Sequence, residues 1–222
     1  MKEGPIDNMS KFILGTKGQM LTVFTEDGRA LAATVITAAP NVIAQIKTKE
    51  KDGYNAVQFG AIEAKESRIG KAQVGHAQGK ALKHFRELRE RDGSLTPALE
   101  VGATVNVSAF IVGDMVAVSA ISKGKGFQGV VKRHGFRGGQ RTHGQKHSER
   151  EPGSIGGGPG RAGGRVAPGM RMAGRMGGDR VTVRNLAVVQ IHPETNEILI
   201  AGSIPGNRGG LVEVRAVSNE SR

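Results

Sequence analysis

Met115-Val116-Ala117-Val118-Ser119-Ala120-Ile121 runs directly into Ser122-Lys123-Gly124-Lys125-Gly126-Phe127-Gln128-Gly129. The first half reads as a β-strand, with β-branched and apolar residues behind a Gly113-Asp114 turn. The second half reads as nothing regular: glycine and lysine alternate and apolar periodicity stops. The reverse switch comes at Arg180, after which Val181-Thr182-Val183 resumes a strand pattern. Two strands therefore bracket a long segment of different composition.

That segment, residues 122–180, holds 13 Lys+Arg against 3 Asp+Glu, and 18 of the 34 glycines of the 222-residue chain. The chain carries a net charge of +12, and +10 of it lies in this segment. Such one-signed charge points to an anionic partner, nucleic acid before membrane. The membrane reading is poor, because apolar runs such as Ala30 to Ala33 are short. With few apolar residues to bury, the segment is expected to be largely disordered alone and to order on an anion network.

Outward from the segment, the flanks read as short strands. They are Lys11 to Leu14 and Met20 to Thr25 about a Thr16-Lys17-Gly18 turn, then Leu31 to Thr37 after Glu26-Asp27-Gly28. Val42 to Lys47 and Tyr54 to Ile62 follow, the latter behind Asp52-Gly53. Leu82, Phe85 and Leu88, three apart among charges, predict a short amphipathic helix from Lys80 to Arg91, ended at Asp92-Gly93. Val105 to Val112 and Met115 to Ile121 predict a hairpin. Val181 to Ile191, Glu197 to Ala201 and Leu211 to Val217 predict strands after the segment, with turns at His192 to Asn196 and Pro205-Gly206. The expected fold is mainly β: a small closed or nearly closed barrel formed by residues 1–121 and 181–222, with a helical insertion at about 71–92. Residues 122–180 form a long irregular Gly/Arg-rich arm inserted in it.

Catalytic readings find little to stand on. The chain has no cysteine, which excludes thiol nucleophiles, zinc ribbons and disulfides. Gly124-Lys125-Gly126-Phe127-Gln128-Gly129 matches the dinucleotide G-x-G-x-x-G pattern, but no helix of useful length is expected after Gly129. Gly156-Gly157-Gly158-Pro159-Gly160-Arg161 lacks the G-K-[ST] ending of a phosphate loop and reads as a tight turn at the tip of an arm. His143 and His147, four apart, would share a face only on a helix, and this stretch is not one. No metal, cofactor or small-molecule substrate is expected, and no enzymatic activity. The N-terminus shows neither a signal nor a transit pattern, so a soluble cytoplasmic protein is expected.

What remains is the cations. Lys123, Lys125, Lys132, Arg133, Arg137, Arg141, Lys146 and Arg150 lie on the outgoing half, with His134, His143 and His147 among them. Arg161, Arg165, Arg171, Arg175 and Arg180 lie on the return. Arginine's planar fork suits phosphates and base faces. Phe127 and Phe136 are placed either to stack or wedge against RNA or to serve as small local anchors.

These same residues carry a resemblance. Ser122 to Phe136, Thr142-His143-Gly144, Pro152-Gly153-Ser154-Ile155-Gly156, Met172-Ala173-Gly174-Arg175-Met176-Gly177 and Arg180-Val181-Thr182-Val183 resemble the ribosomal protein L-three family of the bacterial large subunit. Gly15 to Met20, Glu26-Asp27-Gly28 and Lys51 to Val57 extend the likeness over nearly the whole chain, with the first ten residues looking like an addition. The resemblance implies a barrel of the translation-protein type and an arm threading into 23S rRNA toward the peptidyl-transferase region. It further implies an early role in subunit assembly, neighbouring large-subunit proteins as partners, and residence in the cytoplasmic ribosome. Some relatives carry a methylated glutamine before the basic return; residues 156–171 contain no glutamine, so that modification is expected to be absent. A nucleotide-binding enzyme and a free-standing nucleic-acid chaperone are the rival readings from other classes.

Overall fold

The computed structural model describes residues 11–25, 27–90, 99–156 and 164–217. The predicted helix end at Asp92-Gly93, the Gly157–Gly160 tip, Arg161 and the first ten residues lie outside the described residues. The chain divides into two compact units, Met1–Ile121 with Arg180–Arg222, and Ser122–Asp179. Arg180 thus belongs to the first unit, one residue earlier than the composition boundary places it.

The first unit is built from antiparallel strands. Those before the basic segment are β1 (Phe12–Phe24), β2 (Ala30–Thr37), β3 (Asn41–Lys47), β4 (Asn55–Glu63), β5 (Leu82–Glu90), β6 (Thr104–Val105) and β7 (Met115–Ile121). After it come β10 (Arg180–His192), β11 (Glu197–Ala201) and β12 (Leu211–Ala216). Six of them close into a ring in the order β1-β12-β7-β10-β11-β2, and four form a second sheet in the order β5-β4-β3-β6. Ile13, Ile36, Val116, Val118, Ile198, Ile200, Val212 and Val214 fill the ring's interior. Phe12 and Leu14, which flank Ile13, point the other way and pack with Ile43, Val57, Phe59 and Leu88 of the second sheet. The alternation of one strand thereby feeds two cores.

Among the described residues of the first unit, two short α-helices lie between the strands, α1 (Lys49–Asp52) and α2 (Lys71–His76). The expected helical insertion at 71–92 is overturned beyond His76. Leu82 to Glu90 is strand β5, paired with β4 from Asn55↔Glu90 to Glu63↔Leu82. The three-residue spacing has another cause. Gly60 leaves room on one side, where a Cβ would come within 2.5 Å of Leu82 Cδ1 and 3.2 Å of Phe85 Cε1. Leu88 faces the other side, in the cluster with Phe12 and Phe59. On β4, Ile62 between the Ala61↔His84 and Glu63↔Leu82 pairs has φ 64. A strand covered on both faces mimics a helical stripe, and its nine-residue ladder overrides local propensity.

Two further expectations give way. Thr16-Lys17-Gly18 is not a turn: β1 runs through it with a register shift between Lys17 and Met20. Gly15 allows this, since a Cβ there would sit 2.7 Å from Ile36 Cγ2. The hairpin over residues 105–121 is absent. β6 joins β3 instead, and Val107 and Phe110 drop into the ring core. Asp114 closes the intervening turn by accepting from Ile111 N at 2.9 Å.

The second unit, Ser122–Asp179, holds β8 (Gly126–Gln128), α3 (Val130–His134) and β9 (Gly174–Met176). A five-residue helix therefore does follow Gly129, and the G-x-G-x-x-G stretch ends in a strand.

Candidate nucleic-acid interface

In the second unit the outgoing and return halves run side by side. β8 and β9 pair as Gly126↔Met176, Phe127↔Arg175 and Gln128↔Gly174. Lys125 N donates to Met176 O at 2.9 Å and Ser122 N to Asp179 O at 2.8 Å, continuing the ladder. Gly177, at φ 74, makes this approach possible: a Cβ would lie 2.3 Å from Lys123 O. Farther along, Gly139 N donates to Glu149 O at 2.9 Å. Gly138, at φ 76, sits where a Cβ would be 2.2 Å from that same oxygen. These glycines serve chain-to-chain crossing. Gly124 and Gly129, by contrast, face open space.

The candidate residues divide by what they touch. Arg133 and His134 turn inward from α3: Arg133 Nη1 donates to Met172 O at 2.7 Å, and His134 Nε2 lies 3.0 Å from the same oxygen. Phe136 packs beside His134, ring centroids 5.9 Å apart. Arg133 and His134 brace the two halves through Met172 O, and Val130 of the same helix is buried. Arg141 pairs with Glu149 at 2.5 Å.

Lys123, Lys125, Lys132, Arg137, Lys146, Arg150, Arg165, Arg171 and Arg175 are exposed. None has an acidic partner among the described residues. Phe127, 76% exposed, stands beside Arg175 across the β8–β9 ladder. His143 and His147 are exposed too, with His143 at φ 59 in a turn. The described residues bring no group of three metal-ligating side chains together. Arg180 lies on the first unit, where Glu213 pairs with it and with Arg86, the latter at 2.9 Å. The bracing role of Arg133 and His134 is invisible in composition; a Gly174 three residues past an Arg171-Met172 step gives no signal of it.

Across the described surface, then, the second unit is a polar backbone held by short ladders and presenting unneutralised guanidinium and ammonium groups. Such a surface has the charge that suits phosphate oxygens, and its described residues assemble no nucleophile, base or oxyanion hole.

Comparison with known proteins agrees with this chemistry. The family model described as ribosomal protein L3 matches residues 69–197, which include the whole second unit. The large ribosomal subunit protein uL3 of Herpetosiphon aurantiacus is 49% identical over 212 residues, 95% of this chain and 98% of that protein. The uL3 proteins of Carboxydothermus hydrogenoformans and a Geobacillus species are 48% and 47% identical over 208 residues each, 93% and 94% of this chain and 97% of theirs. With identity near one half over almost the full length of both partners, the chain belongs to the ribosomal protein L3 (uL3) family, a non-enzymatic, rRNA-binding family of the large ribosomal subunit.

Proposed function

We propose that the chain is a structural constituent of the large ribosomal subunit that binds 23S rRNA, takes part early in subunit assembly, and supports the peptidyl-transferase region through residues 122–180. In this reading the six-stranded ring is a translation-protein-type barrel that anchors the protein, and the second unit is a basic arm. Neighbouring large-subunit proteins are its protein partners, and peptide transfer itself belongs to the RNA.

One observation carries the reading: the second unit leaves Lys123, Lys125, Lys132, Arg137, Arg165, Arg171 and Arg175 exposed with no acidic partner among the described residues. Phosphate neutralisation by these groups supplies affinity, and counterion release makes it salt-dependent. RNA shape and unpaired junctions supply selectivity. Arg133 and His134 hold the arm's two halves in register so that the outward cations keep fixed spacing.

The test is limited proteolysis of the full chain with and without large-subunit rRNA. Cuts clustered between Ser122 and Arg180 that vanish on adding the RNA support the arm. Cuts there that the RNA leaves unchanged count against it. In cells, R165A/R171A/R175A lowers the yield of assembled large subunits; a normal subunit profile contradicts the mechanism.

A further inference from the structure

The ring carries a second cationic surface that the arm does not explain. Across strands β12, β7 and β10, Arg215 stands opposite Ala117. On the far side of Ala117 the β7–β10 register slips between Val183↔Val118 and Leu186↔Val116. Arg184 and Asn185 therefore face the single Ala117, with Asn185 at φ 59. This is a β-bulge, the device that re-aims a side chain on a sheet. Val116, Val118 and Ala120 point into the ring core, so Ala117 and Ser119 lie on the outer face. Two arginines thus flank an alanine, strand axes roughly 10 Å apart by ordinary strand spacing.

The next row on the same face is Glu213, Ser119 and Thr182. Ser119 Oγ and Thr182 Oγ1 are hydrogen-bonded at 2.7 Å and form a small hydroxylic floor. Strand β5 walls the space, and the resulting cavity of about 480 Å³ is lined by Arg89, Arg180, Arg184 and Arg215 and, on its apolar side, by Phe12, Leu88 and Val217. Its two carboxylates are already committed. Glu213 is held by Arg86 and Arg180, and Glu87 by Lys47 and the Tyr54 hydroxyl. Arg89 lies over the Tyr54 ring at 5.1 Å. Arg184 and Arg215 are exposed and have no acidic partner among the described residues.

We propose that this groove grips an RNA phosphodiester backbone, a second contact on the ring that is separate from the arm. The floor is small and hydroxylic, the walls are planar guanidinium forks, and the local acids are neutralised. That is phosphate chemistry, matched to bidentate arginine contacts. A protein partner would be expected to seat an aromatic or aliphatic anchor, but Phe12 and Leu88, each 4% exposed, are already packed in the core, and the floor at Ala117, Ser119 and Thr182 carries two hydroxyls. The inference rests on the RNA-binding reading above and extends it to the first unit.

The test uses the full chain and large-subunit rRNA, with binding measured across a salt series and backbone cleavage footprints taken on the complex. R184A/R215A should lower the slope of log affinity against log salt by about 2, at about one per lost phosphate contact. It should also remove one patch of backbone protection while leaving the patch sensitive to R165A/R171A/R175A. Ala117→Glu, which sets a carboxylate between the two arginines, should erase the same patch and provides a second route should the double variant fold poorly. Slope and footprint unchanged in R184A/R215A and in Ala117→Glu, with R165A/R171A/R175A still weakening binding, overturn the groove and leave the arm standing. No change in any variant removes the RNA-binding reading itself.

Discussion

The side chain of Asn41 replaces a strand for the backbone of Leu14. Asn41 Oδ1 accepts from Leu14 N at 2.7 Å, and Asn41 Nδ2 donates to Leu14 O at 3.0 Å. Leu14 pairs with Glu213 of β12 on its other side, but β2 pairs with β1 only from Thr16 onward. Where β2 leaves off, the fully buried Asn41 continues the ladder and ties the ring to the second sheet, with a third bond to Ala39 O at 2.8 Å. An amide is required, since one atom must accept and its neighbour must donate.

Asn41→Ala leaves the Leu14 N–H and C=O buried and unpaired, and should lower unfolding free energy by about 2–6 kcal/mol, at roughly 1–3 per orphaned group. Asn41→Asp should also destabilise, because a carboxylate has no hydrogen to give Leu14 O. Chemical denaturation reads both. An Asn41→Asp chain as stable as the wild type would show that the bridge does not depend on donation.

Lys11 and Asp114 form an ion pair at 2.8 Å, with side chains 4% and 12% exposed. Lys11→Met leaves a part-buried carboxylate without its cation, with only the hydrogen bond from Ile111 N remaining, and should cost about 3 kcal/mol, the lower end of the range for a broken buried pair. The double variant Lys11→Met with Asp114→Asn should recover a large share of that loss, since no charge is left unpaired. A double-mutant cycle in denaturant measures the coupling, and additive losses would contradict a pair that acts as a unit.

How far the fold was legible follows from what each pattern reports. Strand residues such as Val116, Val118, Ile198 and Ile200 face one dry interior, so their pattern announces them. Leu82, Phe85 and Leu88 serve two different surfaces of a single strand, and period analysis assigns a helix to that arrangement. Residues 105–112 look like the first arm of a hairpin because β-branching marks burial, and burial here is achieved by a single 3-10 turn over Val107–Ala109. Charge and glycine content mark residues 122–180, and the second compact unit runs from Ser122 to Asp179. They do not separate outward Arg171 and Arg175 from inward Arg133, since the partner of Arg133 is a backbone carbonyl, Met172 O, 39 residues away.

Gly177 tests the closeness of the two halves in the second unit. Its φ of 74 and the 2.3 Å between a would-be Cβ and Lys123 O make any side chain there both strained and colliding. Gly177→Ala should open the β8–β9 ladder, raise protease cutting in residues 122–179 and weaken rRNA binding several-fold. Gly124→Ala, which meets nothing within 4 Å, is the matched control and should behave as wild type. Equal behaviour of the two variants would show that the close crossing at Gly177 is dispensable.

Acid should destabilise the first unit in two separable steps. His84 sits on β5 opposite Ala61. Burial, then repulsion from Lys83 and Arg86, holds its pKa below the ordinary 6.5. A depressed folded pKa means that the unfolded chain takes up the proton first. The stability tied to His84 is therefore complete above about 6.5 and is lost as pH falls through that value toward the lower folded one. Glu87 comes next. The hydrogen bond from Lys47 at 2.7 Å, outweighing the opposing effect of burial and helped by Tyr54 and Gln58, keeps its carboxyl below the ordinary 4.5. Its contribution is present above that value and is lost as pH falls through the folded pKa. His84→Asn should flatten the stability profile between about pH 7 and 5, and Glu87→Gln the profile below about pH 5. Urea midpoints measured across that range decide it: a single acid limb insensitive to both substitutions would place the titrating groups elsewhere.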